Sequence, residues 1–214
     1  MKKNSLLKYA HSLNLIVILT FLSGGSQATP ISEFTAGVYD NAIVGIDEKK
    51  RIVTGYFSET SNDDSRPLIR CEFYFSGQLT GSTAQLKIYQ LTLPDEPTAG
   101  RLKVEKSQKG STINLQLDEE QPGCMNIYPR TELARTKLAI ISPAKWIEIR
   151  MASEKKVYFH KTVAPVTKTK MYITRGDAVG VLEYKGEWAN VVYIGEIKST
   201  IGWVKTSQLF PSVK

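Results

Sequence analysis

Arg175-Gly176-Asp177, Lys185-Gly186-Glu187-Trp188 and Ile201-Gly202-Trp203-Val204 punctuate residues 157–210 of this chain. Each phrase puts a glycine where the backbone must turn tightly, and two put a tryptophan one or two residues after it. Short apolar runs lie between them, at 178–182, 189–194 and 202–204. Strands this short at this spacing predict a small β-barrel over residues 157–214.

The chain begins differently. Lys2, Lys3 and Lys8 form a positive start, residues 13–22 are apolar, and Ser26-Gln27-Ala28 fits the small-x-small cleavage rule. Residues 1–28 therefore read as a signal peptide removed after Ala28. The apolar run is shorter than the ~20 residues a membrane span needs, and no later segment offers a span. The expected location is periplasmic or secreted, with a mobile mature start at residues 29–34.

Cys71 and Cys124 are the only cysteines. In an exported chain two thiols most often pair, and closing that loop would contribute about 4 kcal/mol in the chain-entropy model. Two unpaired buried thiols are the alternative.

Residues 29–150 read as strands separated by turns. Ala42–Ile46 and Ile52–Phe57 flank the charged turn Asp47-Glu48-Lys49-Lys50, a hairpin pattern. Ile69, Cys71, Phe73 and Phe75 alternate with Arg70, Glu72 and Tyr74; Ile113, Leu115 and Leu117 alternate with Asn114, Gln116 and Asp118. Thr131–Ile140 is the one expected helical turn, with Thr131 as its cap. Trp146–Arg150 reads as the last strand of this part. The expected fold is all-β: an N-terminal antiparallel β-barrel or sandwich over 29–150, then a small β-barrel over 157–214. The boundary falls near residues 151–156.

Charge divides along the same line. Residues 29–150 carry 15 Lys and Arg against 16 Asp and Glu, whereas residues 151–214 carry 10 against 5, a net of +5. A basic module on an exported protein points to anionic surfaces such as cell wall rather than to nucleic acid; lysines that only keep a small barrel soluble are the bland reading.

The mature chain has a single histidine, His160, and no HxxxH, CxxC or HExxH pattern, so no metal site or cofactor is expected. Asp63-Asp64 and Asp118-Glu119-Glu120 fall in expected loops, where neighbouring acids form solvated turns. Nothing marks two of them as a catalytic pair. Aromatic residues are dense near the C-terminus. Tyr172 and Trp188 lie beside turns, and with Tyr158, Tyr193 and Arg175 they are the candidate contact residues, while Trp203 is expected in the core.

The phrases Val157-Tyr158-Phe159-His160, Arg175-Gly176-Asp177-Ala178-Val179-Gly180-Val181, Gly186-Glu187-Trp188-Ala189-Asn190-Val191 and Gly202-Trp203-Val204-Lys205-Thr206-Ser207-Gln208-Leu209 resemble, in order, the elements of a bacterial SH3-like (SH3b) domain. Where many wall-binding members begin with LNVRxGP, this chain has Val163-Ala164-Pro165-Val166. It looks more like the variant that starts with Tyr-Phe and continues Lys-Thr-Lys-x-Tyr. The resemblance implies a non-catalytic binding protein that engages peptidoglycan or a protein partner. A periplasmic immunity protein or inhibitor of a wall-degrading toxin is the alternative, and a wall hydrolase with a targeting domain is a third reading.

Overall fold

Alternation along residues 70–80 shows why the first half of the chain closes on itself. Cys71, Phe73, Phe75 and Leu79 are all buried on one side of that strand. The same parity recurs in Ala84, Leu86 and Ile88, in Leu102 and Val104, and in Ile113, Leu115 and Leu117. A row of such strands has one apolar face to hide, and rolling the sheet into a barrel hides it while removing the sheet's edges.

The computed structural model describes residues 34–61, 68–91, 96–107, 110–195 and 198–210. The expected signal peptide, the mature start up to residue 33 and the Asp63-Asp64 loop lie outside the described residues. Eight antiparallel strands form a closed barrel in sequence order: β1 (Gly37–Tyr39), β2 (Ala42–Asp47), β3 (Ile52–Thr60), β4 (Arg70–Thr80), β5 (Thr83–Tyr89), β6 (Thr98–Ser107), β7 (Gly110–Leu117) and β8 (Leu138–Pro143). Closure comes from β1 against β8, with Tyr39 opposite Ile140. The lumen is filled by side chains, Phe57, Phe73 and Phe75 among them, as expected for eight strands.

The segment between β7 and β8 plugs one end. Gly123 has φ +78° and passes so close to β4 that a Cβ there would lie 2.0 Å from the Arg70 carbonyl oxygen. This close approach brings Cys124 to Cys71, and the two form a disulfide. The bond fits an oxidising environment. The helical turn α1 (Arg130–Leu133) is shorter than expected, and Pro129 rather than Thr131 precedes it. Residues 138–143 are not helical: they form β8, because they pair with β7 on one side, Leu138 opposite Ile113, and with β1 on the other.

The second sheet has seven strands in the order β11-β10-β14-β13-β12-β9-β15. They are β9 (Glu148–Ala152), β10 (Val157–His160), β11 (Lys168–Ile173), β12 (Ala178–Lys185), β13 (Trp188–Ile194), β14 (Ser199–Lys205) and β15 (Leu209–Phe210). The sheet curls around Val157, Phe159, Val179, Val181, Val191 and Val204. The strand expected to finish the first part therefore belongs here: β9 pairs with β12 and β15.

β9 also joins the two halves. The outward face of β2 to β4 packs on it through Ile43, Tyr56 and Tyr74. The Ile149 amide donates to Thr54 Oγ1 at 2.7 Å, and the Ile46 amide to the Trp146 carbonyl at 2.9 Å. The Trp146 ring lies flush on β12, where a Cβ on Gly180 would come within 2.4 Å of it.

Candidate functional site

Strand parity decides which side chains of the second sheet face away from its core. On β10, Val157 and Phe159 are buried inward, so Tyr158 and His160 point outward. Antiparallel partners share a face, and Tyr158 stands opposite Tyr172 of β11. Their rings lie 5.5 Å apart at 59°. Lys168 Nζ sits 3.6 Å from the centre of the Tyr158 ring, and Lys156 Nζ 4.6 Å from that of Tyr172. The result is an alternating cluster of two cations and two aromatic rings, with Tyr172 44% exposed.

The face continues across the sheet. His160 stands opposite Trp203 of β14, and its ring meets Trp188 edge-on at 4.8 Å. His160 Nδ1 lies 3.2 Å from the Ala164 carbonyl oxygen. Lys205 Nζ lies 5.8 Å from the Trp188 ring centre. Among the described residues the ion pairs are Lys50–Asp47, Lys103–Glu105, Lys137–Glu105 and Arg150–Glu148; none involves Lys156, Lys168 or Lys205. These three ammonium groups are available to an incoming anion.

The five candidate contact residues fall in two places. Tyr158 and Tyr172 meet on the outward face. Trp188 is on the same face but only 8% exposed, so it supports that surface from beneath instead of standing at a rim. Arg175 and Tyr193 lie elsewhere: Arg175 lines a small cavity with Leu91, Met151 and Phe210, and Tyr193 packs against the end of the second sheet's core while lining a cleft against β1 to β3. Trp203, expected in the core, is half-buried on the outward face, because its neighbour Val204 takes the inward position. Lys156, Lys168 and His160 complete the cluster. The parity of Lys156, Tyr158 and His160 was visible in the sequence, but which lysine reaches which ring depends on the β10–β11 register.

Chemically this face can attract negative charge over distance and hold it by contact with aromatic edges and faces; each such cation–ring contact contributes about 0.5–1 kcal/mol at an exposed site. Among the described residues no group of three or more His, Cys, Asp or Glu side chains could hold a metal ion, and no helix is long and apolar enough to cross a membrane.

No protein-family model, curated protein or solved structure gives a significant match to this chain.

Proposed function

We propose that this is an exported, non-catalytic binding protein of the periplasm or cell surface, and that its second sheet is an SH3b-like domain engaging cell-wall material or a protein partner. One observation carries the reading: the Tyr158–Tyr172 pair with Lys156 and Lys168 over its rings, neither lysine in an ion pair among the described residues. Long-range attraction from the lysines and short-range contact from the rings are complementary parts of recognition. An anionic polymer such as peptidoglycan, or an acidic protein surface, fits that combination.

The test is co-sedimentation with purified peptidoglycan and capture from periplasmic extract, each with wild type and Tyr172→Ala. Tyr172 is exposed, so the variant should keep its melting temperature and lose binding about tenfold, which corresponds to about 1.4 kcal/mol. Binding should also weaken as salt is raised. Unchanged binding by a stable Tyr172→Ala protein would move the contact to the eight-stranded barrel and favour an antagonist of a wall-degrading enzyme.

A further inference from the structure

The junction between the barrel and the second sheet leaves a cleft of about 450 Å³. That is within the roughly 300–1,000 Å³ range of small-ligand sites, which favour boundaries between folded units. The β1–β2 turn and the outer faces of β2 and β3 form one wall; Gly176, Asp177 and Ala178 with the end of β13 form the other. This cleft is separate from the Tyr158–Tyr172 face, since no residue of that face lines it.

Its chemistry is specific. No lysine or arginine lines it, and Asp177 is its one carboxylate. Asp177 is held in place because its Oδ2 accepts from the Thr174 amide at 2.7 Å and from the Thr174 hydroxyl at 2.9 Å. Tyr56 is fixed too, its hydroxyl donating to Glu72 Oε2 at 2.8 Å. The Ser58 amide donates to the Asn41 carbonyl at 2.9 Å and pins the turn that carries Asn41. Asn41 has φ 56°, a conformation that asparagine tolerates better than most residues. Its carboxamide has no hydrogen-bond partner among the described residues. Ile141 and Ile194, exposed by 66% and 38%, add apolar surface beside the tyrosines.

We infer that this cleft binds an uncharged oligosaccharide. A sugar ring has apolar C–H faces for Tyr56, Tyr193 and the isoleucines, and hydroxyls for Asn41, Ser58 and Asp177. A purely apolar ligand would bury the Asn41 carboxamide without a partner and would strip water from the Asp177 carboxylate, leaving it only Thr174. An anion would meet Asp177 and no compensating cation.

The experiment is amide NMR titration of the purified protein with chitotetraose, an uncharged tetrasaccharide, with spermidine as a cationic control. Saturable shifts at Asn41, Asp177 and Tyr193 are expected. Asn41→Gly deletes the carboxamide but suits φ 56°, so it should keep the melting temperature and weaken binding about fivefold or more. Tyr172→Ala should leave this titration unchanged, which separates the inference from the reading of the outward face. Three results would overturn it: no saturable shift in the cleft, shifts confined to the Tyr158–Tyr172 face, or a stronger cleft response to spermidine than to the sugar.

Discussion

Arg150 holds its charge where water is nearly excluded, at 5% exposure. Its Nη2 donates to the Leu209 carbonyl at 2.8 Å and its Nη1 to the Tyr184 hydroxyl at 3.3 Å. Its Nε stands 3.8 Å from Glu148 Oε1, without a hydrogen bond among the described residues. The Tyr184 hydroxyl also donates to Glu148 Oε2. Burial pushes the Glu148 carboxyl above its ordinary 4.5, and the Tyr184 hydrogen bond, Arg150 and Lys50 only partly offset it, with Asp47 acting in the same direction as burial. A raised folded-state pKa means that the folded protein holds this proton more tightly than the unfolded chain does. Stability from Glu148 is therefore full below about 4.5 and falls as pH rises from there through the folded value. Relative to Glu148→Gln, the wild type should lose melting temperature between pH 4 and pH 7. A wild type that holds level with Glu148→Gln, or gains on it, as pH rises would show that Arg150 outweighs burial. Two cysteines in one chain are easier to read, since pairing needs only a compartment and a reachable geometry, and Cys71–Cys124 is bonded.

At the scale of the element, β14 illustrates what alternation decides. Gly202-Trp203-Val204 invites the largest side chain into the core, but only one parity of a strand faces inward. Val204 takes it at 0% exposure, opposite Ala189 of β13, leaving Trp203 outward beside His160. Trp188 ends up more buried than Trp203 because His160 and Lys205 cover it. Trp188→Ala should then cost about 3–5 kcal/mol, and Trp203→Ala clearly less, in urea unfolding followed by circular dichroism. The reverse order would mean that Trp203 is the structural residue. β8 makes the complementary point. Residues 138–143 show no long alternation by themselves and become a strand because β1 and β7 both need a partner to close the barrel.

At the scale of the whole molecule, β9 determines how the chain divides. It follows the barrel in sequence, completes the second sheet between β12 and β15, and packs on the outside of β2 and β3. A fragment of residues 144–214 should give a dispersed amide spectrum, because it keeps β9 and the Trp146 ring on Gly180. A fragment of residues 157–214 lacks both and should give a poorly dispersed one. Equal dispersion and stability of the two fragments would show β9 to be an attachment and not part of the sheet. The sequence by itself determined the all-β class, the strands β2, β3, β4 and β7 and the basic bias of residues 151–214, and it favoured the disulfide over two free thiols. Each follows from local alternation, turn residues or composition, which act over a few positions. The tertiary structure alone decided that 138–143 close the barrel and that 148–152 join the second sheet. It decided that Tyr74 is buried although its parity points outward, and that Tyr193 and Arg175 line cavities at the junction with the barrel while Tyr158 and Tyr172 meet on the outward face. The physical reason is common to these cases. Period-two alternation gives each side chain a face but not a neighbour, and which face is covered depends on pairings between residues far apart in the chain.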